Sequence, residues 1–571
     1  MNTKEIFIRE LIRFKPKTSD DLASFRRRMA KKCKIPCPSN IELLKSYRKL
    51  VENKKIKKSP ILERLLRTRP VRSLSGIVNI SVLTKPYPCP GKCLYCPIER
   101  GIPKSYLSGE PAVERAKKLN YDPYLQVKKR IEMLENEGHP TDKIELRIVG
   151  GTWSYYPKHY QDWFIKRCFQ ACNELGNQKN SKLKSQKPKP QLKTKNLENI
   201  QKKNEKAKHR IVGLSVETRP DFINAEEIKW LRKLGVTMVE LGVQSIYDDV
   251  LKLNRRGHGV KEIISATKLL KDAGFKILYQ MMLNLPGSNL KRDEKMFKEL
   301  FQNPDFRPDY LKIYPCALVK EAPLYKLWKA GKYRPYSEKQ LINLIKSIKK
   351  KIPYYVRIQR IQRDIPSQKI VEGGAKISNL RQLLLEETEK EGWKCHCIRC
   401  REIRERYDPK EKIYLFRQDY QASDGKEIFL SFENKNRTKL YSLLRLRIPS
   451  YVFTGSQPVF PVLKRAAIIR EVHTYGELVP IGGEKLAPQH RRLGKRLIKE
   501  AEKITKREFG NSDGRTYHPP KIWWGVNISR AKSERALFKC NKIAVISGIG
   551  VRNYFKKLGY KLRDTYMIKI L

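Results

Sequence analysis

Apolar residues recur along this chain at two spacings, and the switch between them divides it. Over residues 1–75 they fall three and four apart, as in Ile6-Phe-Ile-Arg-Glu-Leu-Ile12 and Ile41-Glu-Leu-Leu-Lys-Ser-Tyr-Arg-Lys-Leu-Val51, with Lys and Arg between them. That period predicts amphipathic helices with a basic outer face. From 76 to 360, short apolar runs alternate with helical stretches. Strands are predicted over 76–83, 143–149, 211–216, 238–243 and 276–282, and helices over 124–137 and 226–234. Repeated βα units imply a parallel sheet with helices outside, a partial or full (β/α) barrel. Its chemistry would sit at the carboxyl ends of the strands.

Residues 361–410 read as a linker. From 411 to 571 strands return over 412–417, 427–432, 440–447 and 466–473, with a helix over 492–508. This is predicted to be a separate α+β domain. Two stretches interrupt the patterns. Residues 177–208 are Lys-rich and nearly free of aromatics, which predicts a disordered insert in a surface loop. A loop near 510–535 is rich in basic and aromatic residues.

A chain of 571 residues is too long for one hydrophobic core. No run of eighteen apolar residues occurs, so no membrane span is expected. The N-terminus lacks the apolar stretch of a secretory signal, and a cytoplasmic setting is expected. Charge changes the picture more. Lys and Arg number 122 against 59 acids, a formal net of +63. A solvated basic surface could carry part of this, but the excess runs through ordered-looking and low-complexity segments alike. It suits a polyanion, and nucleic acid is the expected partner.

The twelve cysteines cluster, which in a reducing compartment favours metal over disulfides. Cys89-Pro-Gly-Lys-Cys93-Leu-Tyr-Cys96 is a C-x3-C-x2-C pattern on a loop after a strand. Three such thiolates hold three irons of a [4Fe–4S] cubane and leave the fourth open. An open iron chelates S-adenosylmethionine, and an electron then releases a 5′-deoxyadenosyl radical. The spacing matches the radical-SAM superfamily, with Tyr95 placed to pack on the adenine. The rival, a structural zinc site, needs a fourth ligand nearby. Gly150-Gly151-Thr152 follows the next strand, where glycines allow close backbone approach to a cofactor. A second group, Cys395-His-Cys397-Ile-Arg-Cys400, offers three thiolates for zinc. Its fourth ligand would be Cys316 or His396; free thiols on a plain loop are the other reading.

Several blocks, in order, resemble the catalytic subunit of Elongator. They are Thr68-Arg-Pro-Val-Arg-Ser-Leu-Ser-Gly76, Thr84-Lys-Pro-Tyr-Pro-Cys-Pro90, Glu217-Thr-Arg-Pro-Asp221, Leu241-Gly-Val-Gln-Ser245, Asn254-Arg-Arg-Gly-His258, Arg363-Asp-Ile-Pro366 and Ile546-Ser-Gly-Ile-Gly-Val-Arg-Asn-Tyr554. The resemblance implies a radical-SAM domain joined to a GNAT-type acetyltransferase domain; the basic helices of residues 1–75 before them read as a tRNA-binding arm, as a helical cap on the next domain, or as both. It implies tRNA carboxymethyluridine synthesis at wobble uridine 34, with the anticodon stem–loop as partner and self-association or Elongator-like subunits besides. Acetyl-CoA would supply the carbon: the deoxyadenosyl radical takes hydrogen from the acetyl methyl, the carbon radical adds to C5 of uracil, and thioester hydrolysis leaves the acid. Glu217 would lie at the radical cofactor. Acetyl-CoA would meet the backbone of Glu471, Val472, His473 and Thr474, and the junction Gln489-His-Arg-Arg-Leu-Gly494-Lys495, where Leu493, Gly494 and Lys495 open a helix. Arg492 stands where the family pattern has its first glycine. Tyr554 and Phe555 would flank the CoA thiol, with Tyr554 the only hydroxyl for an acid role. Lys143 aligns with a family lysine that contacts CoA from the radical domain. The resemblance also favours Cys316 as the fourth zinc ligand, because the family docks its linker on the barrel. A protein lysine acetyltransferase with a vestigial radical domain is the alternative, against which the intact cysteine triad, Arg492 and Phe555 speak; a non-catalytic RNA-binding scaffold is a third reading, against which two cofactor-type sites in one chain speak.

Overall fold

The computed structural model describes residues 3–175, 196–404, 407–476, 492–509 and 540–571. It opens with four helices: α1 (Thr3–Phe14), α2 (Ser19–Lys32), α3 (Asn40–Glu52) and α4 (Pro60–Leu66). Thr18 with Asp21 and Ser39 with Glu42 form reciprocal capping boxes that start α2 and α3. Phe7, Leu11, Phe25, Leu44 and Tyr47 close a small core of their own. The bundle is fastened to the next domain through Arg48 Nη1, which donates to the Glu135 carbonyl at 2.6 Å, and Thr68 N, which donates to the Glu137 carbonyl at 2.9 Å.

Seven parallel strands follow: β1 (Val78–Leu83), β2 (Lys143–Val149), β3 (Arg210–Thr218), β4 (Met238–Gln244), β5 (Lys276–Leu283), β6 (Tyr310–Pro315) and β7 (Arg357–Ile361). Their order in the sheet is their order in the chain. The sheet curls without pairing β7 to β1, giving a half-barrel. Five strands lie where the apolar runs predict them. β6 and β7 were not anticipated, because Lys312, Gln359 and Arg360 interrupt their apolar pattern to face the interior cavity.

The insert expected over 177–208 needs correction at its end. Residues 176–195 lie outside the described residues. Leu197–Asn204, however, is a helix that buries Leu197 and Ile200. These two side chains sit one turn apart and complete the barrel's core, which is why a Lys-rich segment still folds there.

A second seven-stranded sheet comprises β8 (Tyr414–Ala422), β9 (Gly425–Glu433), β10 (Leu440–Ile448), β11 (Ala466–Thr474), β12 (Lys542–Val545), β13 (Lys561–Arg563) and β14 (Tyr566–Ile570), in the order β13-β14-β12-β11-β10-β9-β8. Only β11 and β12 are parallel. The helix Leu493–Phe509 packs on β10 and β11. The loop near 510–535 lies outside the described residues. No helix among the described residues is long and apolar enough to cross a membrane.

The two sheets are joined by buried ions. Arg470 donates to Asp309 Oδ1 and Glu427 Oε2, each at 3.0 Å, and Arg447 donates to Asp272 Oδ1 at 2.9 Å. Arg445 donates to Glu471 Oε2 at 2.8 Å, and the Tyr310 hydroxyl also donates to Glu471. The seam has glycine requirements too. A Cβ at Gly548 would fall inside the Val212 carbonyl group on β3. Gly548→Ala should therefore force the C-terminal segment off β3 and cost about 3 kcal/mol, read as a lowered first thermal transition.

Candidate functional site

The loop after β1 brings Cys89, Cys93 and Cys96 to one cavity of about 670 Å³ at the carboxyl ends of the strands. Tyr95 lines the same cavity, as do Gly151 and Thr152 after β2, Glu217 and Arg219 at the end of β3, and Lys312 on β6. The Cys89 Sγ lies 3.7 Å from Thr152 Oγ1. Gly150 serves a different purpose from its neighbour. Its φ of 131° and its contact with Thr84 leave no space for a side chain, so it closes β1 against β2.

Two buried guanidiniums hold the cysteine loop. Arg219 is fixed by Asp221 through Nε at 2.9 Å and Nη2 at 2.8 Å. Its Nη1 is buried without a hydrogen-bond partner. That atom would stand 2.7 Å from a Cβ at Gly91, a position also 3.5 Å from Cys93 Sγ and 3.7 Å from Cys89 Sγ. Glycine at 91 is what lets the cation reach between two sulfurs. Arg256 lies 3.5 Å from Cys93 Sγ through Nη1 and donates to the Gly242 carbonyl at 2.5 Å. Burial opposes ionisation of Cys93, but Arg256 outweighs it and holds the thiol below its usual value. Burial and the neighbouring Cys93 push Cys96 up to about 12. Three soft sulfurs, two fixed cations and one unspent N–H fit an anionic iron–sulfur cluster.

Deeper in the cavity, Lys312 Nζ lies 3.1 Å from Glu217 Oε1 and is also paired with Glu240. Gln280 Nε2 donates to Glu217 Oε1 at 3.1 Å, and the Tyr106 hydroxyl donates to Oε2 at 3.3 Å. Burial disfavours the Lys312 charge, but Glu240 and Glu217 raise it above the ordinary lysine range. The wall is strongly cationic, with eleven Lys and Arg against three carboxylates. Several of these guanidiniums are short of counter-charge. Burial and Arg115 push Arg130 down to about 10, and burial and Arg381 do the same to Arg399. Such a rim favours an anionic ligand.

A second site forms where β11 leaves β12. The two strands pair only from Ala466 to Ile469, while β11 stays paired with β10 out to Thr474. Beyond Ile469 the strands part, and the helix Leu493–Phe509 begins beside the opening. A Cβ at Gly494 would lie 3.4 Å from Thr474 Oγ1, 3.7 Å from the Tyr554 hydroxyl and 3.7 Å from Val472 Cγ1. Four of the expected acyl-CoA residues thus converge. Leu493 is buried under the helix start and Lys495 is exposed on its first turn. Burial pushes the Tyr554 hydroxyl up to about 12.

Other expected residues have different surroundings. Glu471 turns its side chain into the ion seam, and the His473 ring stacks on Tyr475 at 4.2 Å. Phe555 is buried in the core, edge-on to Tyr560 at 5.6 Å. Lys143 sits at the amino end of β2, in register with Arg210, against which Gly550 packs. Burial and Arg210 lower its pKa. Gln489 lies outside the described residues.

Arg492 has a φ of 56°, in the left-handed region. This is the physical reason for a glycine in the pattern at that point. Arg492→Gly should relieve the strain and raise stability by about 0.5–1 kcal/mol, measured by thermal melting with saturating acetyl-CoA absent.

Cys395, Cys397 and Cys400 bring their sulfurs within 4.8 Å of one another. Cys316 does not join them. It is buried in a separate apolar cluster with Leu318 and Tyr333, and burial pushes its thiol up to about 12. The His396 ring instead stacks on Tyr354 at 4.5 Å. The expectation of Cys316 as fourth ligand fails because that residue, just past β6, is packed into its own apolar cluster and not beside the trio.

Sequence reasoning assigned no role to Arg219, Arg256, Lys312 or Glu240. Arg219 and Arg256 lie inside quoted motif blocks, which was the available signal; Lys312 lies on a strand that was not anticipated.

Comparison with known proteins places these sites in context. Residues 87–300 match the model of the Radical SAM superfamily and 308–390 that of the Radical_SAM C-terminal domain. A tRNA uridine(34) acetyltransferase of Methanocaldococcus infernus is 44% identical over 94% of this chain and 92% of its own length. Elongator complex protein 3 of Homo sapiens is 36% identical over 89% of this chain and 86% of its own. A solved structure of the archaeal Methanocaldococcus infernus Elp3, lacking residues 1–46, superposes with a TM-score of 0.68 at 41% identity, covering 87% of this chain and 100% of that one.

Proposed function

This chain belongs to the family of tRNA uridine(34) acetyltransferases and Elongator complex protein 3, and we propose that it makes 5-carboxymethyluridine at wobble uridine 34 of tRNA from acetyl-CoA and S-adenosylmethionine. The observation that carries this reading is the cysteine-lined, cation-rimmed cavity at the strand carboxyl ends. A [4Fe–4S] cluster held by Cys89, Cys93 and Cys96 would, with S-adenosylmethionine, supply a 5′-deoxyadenosyl radical there. Arg219 and Arg256 keep positive charge against the sulfurs. Glu217, buttressed by Lys312, Gln280 and Tyr106, keeps a carboxylate facing the cavity for polar groups of the bound nucleoside. The uncompensated arginines at the rim receive RNA phosphates. The basic faces of α1 to α4 extend that grip.

The second sheet is read as a GNAT-type acyl-CoA fold. The parting of β11 and β12 supports this, because beyond Ile469 that edge of β11 is no longer paired with β12 and lies beside a helix N-terminus suited to pyrophosphate. Tyr554 retains its proton at neutral pH and can donate it at the thioester. A lysine-acetyltransferase reading would leave the cysteine-lined cavity without a task. The linker trio is read as a zinc site completed by a ligand other than Cys316. Metal analysis should find one zinc per chain, lost in Cys397→Ala.

The test is nucleoside mass spectrometry of tRNA after anaerobic incubation with reconstituted protein, reductant, S-adenosylmethionine and acetyl-CoA. A new carboxymethyluridine peak that requires all components is the expected result. Cleavage of S-adenosylmethionine with no uridine product would overturn the reading.

A further inference from the structure

Beside the cysteine loop runs a ladder of rings that the radical chemistry does not use. Trp163 lies 5.6 Å from Tyr160, Tyr160 is stacked at 5.1 Å on Tyr156, and Tyr156 is stacked at 4.8 Å on Tyr87. Tyr87 in turn lies 6.0 Å from Tyr155. The inner rings are buried, while Tyr155 is 40% and Trp163 43% exposed. Burial alone explains Tyr156 and Tyr160; it does not explain two large rings left facing solvent at the outer rungs.

Two features tie the ladder to an occupant. One is its position. Tyr87 is two residues from Cys89, and both line a shallow groove that opens beside the main cavity through Cys89 and Lys104. Tyr155 follows Thr152, which touches Cys89. The ladder therefore starts at the rim of the cavity. The other feature is charge. The exposed Lys85 ammonium lies 5.0 Å from the centre of the Tyr160 ring, one rung in from Trp163. Exposed rings at the ends of a buried aromatic stack, with an ammonium beside it, suit a single-stranded nucleic-acid platform, where bases stack and phosphates meet cations.

We propose that Tyr87, Tyr155 and Trp163 form a stacking platform for unpaired RNA bases next to the nucleotide that enters the cavity. This rests on the tRNA reading above and extends it to a surface and a mode of contact. Splaying the neighbouring bases onto rings would hold the loop open while one uridine is directed inward, and would do so with little regard for base identity.

The test uses full-length protein with the cluster loaded and an anticodon stem–loop RNA carrying 2-aminopurine beside the target uridine. Binding is measured without acetyl-CoA, so it is read whether or not product forms. Tyr155→Ala with Trp163→Ala should weaken binding by about tenfold or more. It should also restore the 2-aminopurine fluorescence that stacking quenches in the parent complex. The dependence of affinity on salt should keep its slope, because rings contact bases and release no counterions. Tyr155→Phe with Trp163→Phe should bind like the parent. Iron content and cluster absorbance report that each variant is folded. Unchanged affinity, or a loss matched by a shallower salt slope, would overturn the platform. A variant that binds RNA normally but loses a co-purifying protein would overturn it too, and assign the rings to a protein partner. If the parent chain itself fails to bind the stem–loop, the tRNA reading fails rather than the platform alone.

Discussion

A Cys93→Ala chain should fold, hold no four-iron cluster and form no modified uridine. Cys93 is the least exposed of the three cysteine residues, at 6%, and the one that Arg256 faces at 3.5 Å. Losing it leaves two sulfurs for a cubane that needs three, and a buried guanidinium without its anion. Hydrogen abstraction from a methyl group has no alternative route among the side chains of the cavity. Turnover should fall by about 10⁶-fold or more, which nucleoside analysis reads as zero. The cluster's visible absorbance and iron content should fall with it. Cys37→Ala is the matched control: its thiol is exposed and lies far along the chain in the helical bundle, and both readouts should stay at parent levels. Parent-like iron and product in Cys93→Ala would show that the cavity is built for something else.

Asp309→Ala should be the most destabilising single change at the seam between the two sheets. Asp309 is fully buried, receives Arg470 on both carboxylate oxygens and accepts from Ile277 N at 2.9 Å. Its removal leaves Arg470 with Glu427 and Arg445 with Glu471 as their remaining carboxylates, one anion short for two buried cations. Breaking a buried pair from one side costs about 3–5 kcal/mol. Denaturant titration should show the second domain releasing first, and Asp309→Leu combined with Arg470→Met should recover much of the loss.

The same seam sets an acid limit. Burial opposes ionisation of Glu471, but Arg445, Lys276 and His473 hold its carboxyl down to about 2, from an ordinary 4.5. Burial likewise opposes, and Arg470 and Lys271 outweigh it, at Asp309, whose carboxyl is held well below the usual range. A folded value below the unfolded one contributes stability that is fully present above the unfolded value and lost as pH falls toward the folded one. Docking of the two sheets should therefore weaken between about pH 4.5 and 2. Glu471→Gln should flatten that part of the profile.

The gathering of Cys89, Cys93 and Cys96 at one cavity was largely legible in the sequence. The cysteine spacing is local, and local spacing survives in sequence. What surrounds the sulfurs was not legible, because Arg219 arrives from the end of β3 and Arg256 from the loop after the helix Asp248–Leu253, and both acquire their role from Gly91, Gly242 and Gly257, which leave space for them. The acyl-CoA residues fared unevenly. Thr474, Gly494 and Tyr554 converge, whereas Phe555 and the side chain of Glu471 turn inward.

By itself the sequence determined the kinds of element and their order: basic helices, repeated βα units, then an α+β domain, with three sulfurs on the first strand's loop. Those follow from periodicity and spacing, which are properties of neighbours in the chain. Only the tertiary structure decided what the polar faces meet. In Leu440-Tyr-Ser-Leu-Leu-Arg-Leu-Arg447, a period of two marks Arg445 and Arg447 as the polar side of a strand, the side usually given to water. Both are buried, because the barrel covers that face and supplies Asp309 and Asp272 as their partners. Alternation says that a strand has two sides. It carries no information on whether the second side meets solvent or another domain's carboxylates more than a hundred residues away.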